Sequence, residues 1–107
     1  MENEGQTMKV IYKYPLPSHR CILTVPWRCR ILSIQSDLSG ELYMWALHDP
    51  EPECFKKYEI MVLGTGQETD EPLIEMPEAW DHNPFGYIQT VVQGALVWHV
   101  FLRELFE

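Results

Sequence analysis

The chain has 107 residues, of which 46% are hydrophobic, so it is long enough for one packed domain and too apolar for a wholly disordered protein. Eight Lys and Arg against 16 Asp and Glu give a net charge of −8, which repels phosphate backbones and argues against an ordinary nucleic-acid-binding protein. The most apolar stretch, ALVWHVFL at residues 95–102, is far shorter than the ~18 residues that a membrane-spanning helix needs.

The first seven residues, MENEGQT, are polar and acidic, and they predict a flexible leader rather than a secretory signal. The three cysteines, Cys21, Cys29 and Cys54, are odd in number and follow no disulfide spacing. Without an export signal, we expect them to be free thiols in a reducing cytoplasm. The sequence therefore predicts a cytoplasmic protein with one β-rich domain at residues 8–107.

The first half of the chain alternates with the period of two that is typical of β-strands. MKVIYKY (8–14) is the first candidate strand, and the prolines of the PLPS that follows are expected to end it. CILTV (21–25) and RILSIQS (30–36) lie on either side of a proline-initiated bend. RILSIQS and ELYMWALHD (41–49) flank turn residues and predict a hairpin, whose second arm is apolar on both faces and should lie centrally in its sheet.

The second half holds three more candidate strands and one long irregular segment. FKKYEIMVLG (55–64) is expected to end at glycines, and strands at 87–92 and 95–102 are expected to join at Gln93-Gly94. Residues 67–84 form an acidic loop, within which LIEMPEAW (73–80) is compatible with a helical turn, as is FLRELFE (101–107) at the end. Short strands at regular spacing predict a mainly β fold with little helix, either a small antiparallel β sandwich or a partly open barrel.

Six blocks occur along the chain in the order KVIYKYPL, ILSIQS, ELYMWALHDPE, VLGTG, YIQTVVQG and LVWHVF. Together, over roughly residues 8–101, they resemble a family of short bacteriophage and prophage proteins classed as a domain of unknown function. The resemblance implies a phage or prophage origin and a place in the host bacterial cytoplasm, and it brings no catalytic residues. Gln67 departs from the family, in which a histidine usually follows Gly-Thr-Gly. Residues 67–84 are longer and more acidic than usual, and residues 102–107 extend past the usual end.

Side chains that could bind a metal ion or carry out catalysis are present but scattered. The His and Cys residues are His19, Cys21, Cys29, His48, Cys54, His82 and His99. They lack the paired C-x-x-C or H-x-x-x-H spacing of structural zinc sites, and no nucleophile elbow accompanies a cysteine. The acidic run in DPEPEC lies between prolines, as solvated loop residues do. We therefore expect no catalytic site, no metal and no cofactor.

The acidic loop at residues 67–84 is the predicted partner-binding site. Its binding residues are predicted to be Glu68, Asp70, Glu71, Glu75, Glu78, Trp80 and Asp81. Carboxylates spaced along a loop with an aromatic anchor suit docking into a basic groove, although the same pattern also describes a solvated loop. The leading hypothesis is a non-catalytic accessory protein that binds and inhibits a host protein with a basic surface. A nucleic-acid-handling defence complex fits, which makes the protein anti-CRISPR-like, with no direct contact to nucleic acid or membrane.

A ligand-binding alternative rests on aromatic residues and a glycine turn. Trp45 could stack on a nucleobase, as could Tyr43, Tyr87 and Trp98, and the turn of Gly64, Thr65 and Gly66 could present backbone N–H groups to an anion. Such a protein would sequester a small molecule or a nucleotide signal, and it could form a homo-oligomer. The same residues could instead serve the core and a turn that needs positive φ. A structural phage component without a host target is a third alternative.

His99 is the polar residue within the most apolar stretch. The period of two places it opposite the apolar face that Trp98 and Val100 share. A buried neutral histidine with one hydrogen-bond partner is the expected state, rather than a metal ligand or a catalytic base.

Overall fold

The computed structural model describes residues 8–74 and 84–105, and this part of the chain contains eight strands and no helix. The strands are β1 (Val10–Leu16), β2 (Arg20–Pro26), β3 (Arg30–Ser36), β4 (Leu42–His48), β5 (Phe55–Gly64), β6 (Leu73–Ile74), β7 (Phe85–Gln93) and β8 (Leu96–Leu105). The prediction of a mainly β protein is confirmed. The predicted leader at residues 1–7 lies outside the described residues.

The strands form two sheets packed face to face. The three-stranded sheet has the order β1-β4-β3, and all of its pairs are antiparallel. The five-stranded sheet has the order β2-β5-β8-β7-β6, in which the two-residue β6 runs parallel to β7 and the other pairs are antiparallel. The fold is therefore a small sandwich, as predicted, and it does not close into a barrel.

The core lies between the two sheets. Met44 and Ala46 of β4 are fully buried against Ile60 of β5 and Val100 of β8. The alternating burial of β4 places its even-numbered residues inward, and β4 is the central strand of its sheet, as its apolar pattern predicted. The predicted hairpin of β3 and β4 is confirmed, with a bulge in β3 between Ile31 and Ser33.

β1 ends within the PLPS stretch, as predicted, but at Leu16 before the second proline and not at the first. The strand continues through Pro15, which lies opposite Tyr43 in the register, to Leu16. β2 likewise includes Pro26. Both are edge strands, where a residue without an N–H need not interrupt a ladder on its outward side. The bend after Pro26 then carries the chain from one sheet to the other.

Three predictions for the second half were wrong in detail. The linker between β7 and β8 is Gly94-Ala95, one residue later than predicted, since Gln93 pairs with Leu96 and Gly94 has φ of +63°. The segment 101–105 is strand rather than helix, because β5 is long enough to pair with β8 as far as Leu105. Residues 73–74, where a helical turn was expected to start, form β6; residues 75–83 and 106–107 lie outside the described residues.

Candidate functional site

Residues 65–74, here called the strap, run from the end of β5 to β6 across the outer face of the five-stranded sheet. At its start, Thr65 Oγ1 lies 2.7 Å from Nε2 of His99 on β8. Near its end, Glu71 makes ion pairs to arginines on β2 and β8, and the carbonyl of Pro72 accepts a hydrogen bond from the N–H of Phe85 at 2.8 Å. These contacts hold the described part of the predicted acidic loop against the sheet.

A second, small apolar cluster lies on the outer face of the same sheet. Met61, Leu63 and Phe85 are buried, and Phe101 packs against them. Met61 and Phe101 are directly opposite each other on β5 and β8, on the face that points away from the core. Phe85 has no exposed surface, although β7 lies near the edge of the sheet. This small cluster is separate from the core between the two sheets.

Two arginines and two carboxylates fix the strap beside this cluster. Arg20 Nε lies 2.8 Å from Glu59 Oε2, and Arg20 Nη1 lies 2.8 Å from Glu71 Oε2. Arg103 donates to Glu59 Oε1 at 2.9–3.0 Å and lies 4.0 Å from Glu71. Both guanidinium groups stack over the Phe85 ring, at 5.2 Å for Arg20 and 4.3 Å for Arg103. We call these four charged residues the arginine–carboxylate network.

The network shifts the pKa values of two of its members, Glu59 and Arg20. Burial by itself would raise the pKa of Glu59, but hydrogen bonds from Arg20 and Arg103 outweigh it and hold this pKa below its usual value. The pKa of Arg20 is raised, first by its hydrogen bond to Glu59 and then by that to Glu71. The charged forms of Glu59 and Arg20 therefore stabilise each other.

The predicted partner-binding residues have different environments. Glu68 and Asp70 are exposed on the strap, whereas Glu71 is turned toward Arg20 and its side chain is 25% exposed. The other four lie outside the described residues: Glu75, Glu78, Trp80 and Asp81. The described carboxylates thus divide into one that anchors the strap and two that face solvent.

The structure brings Trp45 of the predicted ligand site next to Tyr43 but not next to the glycine turn. Trp45 lies on the outer face of the three-stranded sheet, where its ring meets that of Tyr43 edge to face at 5.3 Å. Gly64, Thr65 and Gly66 form a turn at the end of β5 in the other sheet, closed by a bond from the Gln67 N–H to the Gly64 carbonyl at 3.0 Å. Gly66 has φ of +85°, which accounts for a glycine at that place.

His99 is neither buried nor limited to one partner, so that prediction was wrong. It is half-buried on the outer face of β8, with Nε2 near Thr65 and Nδ1 3.1 Å from Thr90 Oγ1. Thr90 Oγ1 also lies 2.6 Å from the hydroxyl of Tyr87. The histidine therefore connects the start of the strap to β7.

A groove of about 840 Å³ opens at one end of the sandwich, between the β2–β3 bend and the β4–β5 loop. Trp27 lines the groove with 52% of its surface exposed. Its backbone N–H donates to the Cys54 carbonyl at 2.8 Å. Lys9 and Asp49 form an ion pair of 2.8 Å on the opposite side. Neither Trp45 nor the glycine turn lines this groove.

Within residues 8–74 and 84–105, no group of three His, Cys, Asp or Glu side chains is placed to hold a metal ion. All three cysteines are free, and burial raises the pKa of the Cys21 and Cys29 thiols. In the same described ranges, no helix has the length and apolar character needed to cross a membrane.

Comparison with known families assigns the chain over most of its length. A family model described as Domain of unknown function (DUF7352) matches residues 8–107. The chain belongs to this family. The DUF7352 match begins where the sequence predicts the start of the domain, and it includes residues 102–107, which were expected to extend past the family's end. No curated protein and no solved structure matches the chain.

Three members of the network in this DUF7352 protein were not among the predicted site residues: Arg20, Glu59 and Arg103. Their separation along the chain hides them, since the bonded pairs are 39 and 44 residues apart. One local signal was present. Glu59 shares a strand face with apolar Met61, and a carboxylate on a buried strand face usually has a cationic partner.

Proposed function

We propose that this protein is a non-catalytic phage or prophage accessory protein that binds and inhibits a basic host protein through its acidic segment, residues 67–84. The support is that the carboxylates of the strap have two different environments. Glu71 is bound by the protein's own arginines, while Glu68 and Asp70 remain exposed on the same short segment. Carboxylates on an anchored segment lose little conformational freedom on binding, which favours affinity.

The proposed partner is a host protein whose own ligand is anionic. A net charge of −8 on 107 residues speeds encounter with a basic groove and repels nucleic acid. A nucleic-acid-handling defence complex of the CRISPR effector type has a groove of this kind. Occupation of that groove by the acidic segment would exclude nucleic acid and inhibit the complex.

The test compares two double charge reversals that change the net charge equally. Glu68→Lys with Asp70→Lys alters the strap, whereas Glu51→Lys with Glu53→Lys alters exposed carboxylates of the β4–β5 loop. Each purified variant is used to capture proteins from host lysate at low salt, and the protein retained by the wild type is then purified and titrated directly. We expect the strap variant to weaken the measured affinity by at least about tenfold and the loop variant to have little effect.

Equal binding by the strap variant and the wild type would overturn the proposal. Equal loss in both variants would also overturn it, because that result means that net charge alone drives the association. If no host protein is retained and deletion of the gene impairs growth on a host without defence systems, the protein is a structural phage component instead.

A further inference from the structure

The outer face of the three-stranded sheet has a composition unlike the rest of the chain. Its residues, paired across β1, β4 and β3 in the register, are Ile11, Lys13, Pro15, Tyr43, Trp45, Leu47, Arg30, Ser33 and Gln35. We call this set the aromatic face. It carries two cations and no carboxylate, in a chain whose acidic residues outnumber its basic residues by 16 to 8. The face is therefore locally positive on an acidic protein.

Aromatic and cationic groups are neighbours on this face. Tyr43 and Trp45 follow each other on the central strand, with their rings 5.3 Å apart at 90°. Lys13 lies opposite Trp45 in the register, and its Nζ stands 4.4 Å from the centre of the Tyr43 ring. Arg30 lies opposite Leu47 on the other flank and is exposed. A planar group on the aromatic rings would thus have a cation on each side.

Two carboxylates, Asp37 and the exposed Glu41, lie in the β3–β4 turn next to the face. Asp37 makes the hydrogen bonds of this turn. Its Oδ1 accepts hydrogen bonds from the Ser39 N–H at 3.0 Å, the Ser39 hydroxyl at 2.7 Å and the Glu41 N–H at 3.0 Å. These bonds tie the carboxylate to its own turn. The pKa of Asp37 is lowered first by the hydrogen bond from the Ser39 side chain and also by the charge of Lys13, so Asp37 partly offsets the positive charge at this end of the face. Lys13 and Arg30 are the two cations that a ligand on the aromatic face would meet.

In the described part of the chain, no second layer covers the aromatic face. Ile11 at its edge is 56% exposed, and Tyr43 and Trp45 at its centre are half-buried. The face spans about 10 Å across the three strands and about 14 Å along three same-side residues. A stable protein–protein interface needs about 800 Å² per partner, several times this footprint. Its size suits a ligand of two or three nucleotides instead.

We propose that the aromatic face binds a short single-stranded oligonucleotide, with a base stacked on Trp45 and with phosphates contacted by Lys13 and Arg30. Aromatic side chains on an open sheet flanked by cations are the general means of holding unpaired bases, because every base has a stacking face. The net charge of −8 opposes a long polyanion more than a short one, so the ligand is a stretch of two or three nucleotides. This site is separate from the acidic segment of the proposed function.

The experiment titrates the full chain with a 5′-phosphorylated thymidine trinucleotide at low salt. Amide chemical shifts in ¹⁵N-labelled protein locate the site, and tryptophan fluorescence gives the dissociation constant. We expect shifts confined to β1, β3 and β4, and binding weakened about 5- to 150-fold by Trp45→Leu. Lys13→Gln should weaken binding and flatten its salt dependence by about 0.7 in log–log slope, as expected for the loss of one phosphate contact.

Trp27→Leu is the matched control, because Trp27 is an exposed tryptophan at the end of the sandwich and not on the aromatic face. It should leave the affinity unchanged. Shifts outside the three strands, or equal losses in the two tryptophan variants, would overturn the proposal. Binding of a hexaglutamate peptide in place of the trinucleotide would also overturn it. If Trp45→Leu does not fold, Lys13→Gln and Arg30→Gln on the exposed surface decide the matter.

Discussion

The side chain of Gln89 bonds both backbone polar groups of Ile34. Its Oε1 accepts from the Ile34 N–H at 2.7 Å, and its Nε2 donates to the Ile34 carbonyl at 2.6 Å. Ile34 is fully buried on β3, the edge of the three-stranded sheet, while Gln89 belongs to β7 in the opposite sheet. The bulge between Tyr87 and Gln89 accompanies this contact. One amide side chain thus takes the place of a neighbouring strand.

Replacement of this amide by an apolar side chain of similar size should be costly. Gln89→Leu leaves the buried N–H and carbonyl of Ile34 without their partners, and we expect it to lower the free energy of unfolding by about 2–4 kcal/mol. Urea unfolding followed by tryptophan fluorescence measures this loss. Gln35→Leu is the control, because Gln35 is exposed on the same strand. A loss no larger than that of the control would show that the Gln89 bonds add nothing to stability.

Substitution of Glu71 should weaken the attachment of the strap to the sheet. Glu71→Gln removes the charge that pairs with Arg20 at 2.8 Å, and we expect it to cost about 1 kcal/mol, since the side chain is partly exposed and screened. Glu68→Gln on the same strap should change stability by no more than about 0.5 kcal/mol. Thermal unfolding in 0.05 M and 1 M NaCl should show the difference between the variants shrinking as salt rises. A difference that does not depend on salt would contradict an ionic role.

Acid should weaken the fold through Glu59. Its folded pKa lies below the usual value of about 4.3, so the native state keeps it ionised where the unfolded state begins to bind a proton. The stabilisation is complete above the unfolded pKa and is lost as pH falls through the folded pKa. Glu59→Gln should therefore cost about 2 kcal/mol at pH 7 and progressively less below pH ~4.

Unfolding curves of the wild type and Glu59→Gln between pH 7 and pH 2.5 test this dependence. The difference between the two proteins isolates Glu59, because Asp37 and Asp49 also have lowered pKa values and add acid sensitivity to both. A difference that stays constant across the range would contradict the role of Glu59 ionisation.

His48 should be held in a single tautomer. It is 3% exposed, and its Nδ1 lies 2.7 Å from the Asp49 carbonyl, which can only accept; Nδ1 therefore carries the proton. Nε2, 3.1 Å from the Tyr14 hydroxyl, then accepts. Long-range ¹H–¹⁵N spectra should show the Nδ1–H tautomer at neutral pH. Tyr14→Phe should cost about 1–2 kcal/mol by leaving Nε2 without its donor.

Tyr12→Phe is the control for that change, since Tyr12 packs on the same imidazole edge to face at 4.7 Å with its ring and is half exposed. It should leave both the stability and the tautomer as they are. If the spectra show the Nε2–H form instead, the assignment of donor and acceptor at His48 is wrong.

Those parts of the fold that depend on residues close together in the chain could be predicted from the sequence. The β3–β4 hairpin and the central place of β4 follow from local alternation around a short turn. The ends of β1 and β8 could not, because they depend on which strand lies next to them. Pro15 is tolerated at a sheet edge and would not be in a central strand, and strand order is not visible in a local pattern.

The contacts of the candidate site were even harder to predict from the sequence than the strand ends. The sequence marks residues 67–84 as acidic, but it does not tell which carboxylate turns inward. Glu71 pairs with Arg20 and Arg103, which lie far from it in the chain and come together only when β2 and β8 flank β5. Gln89 and Ile34 are 55 residues apart, and a glutamine followed by a threonine looks like a surface position. Long-range polar pairs of this kind carry no short-range sequence signal.

The order of strand pairing has a consequence for how the chain folds during synthesis. β1 pairs with β4 and β2 pairs with β5, and both partners are synthesised later. The two N-terminal strands therefore cannot start either sheet by themselves. Among the strands of residues 8–74 and 84–105, only β3 with β4 and β7 with β8 pair as hairpins with a short loop and a small entropic cost of closure, and they are the expected nuclei. At a synthesis rate of ~5–20 residues per second, β1 stays unpaired on the ribosome for more than about a second before β4 has been synthesised. Its exposed Lys13 and Pro15 are residues that hinder pairing with a second nascent chain during that interval.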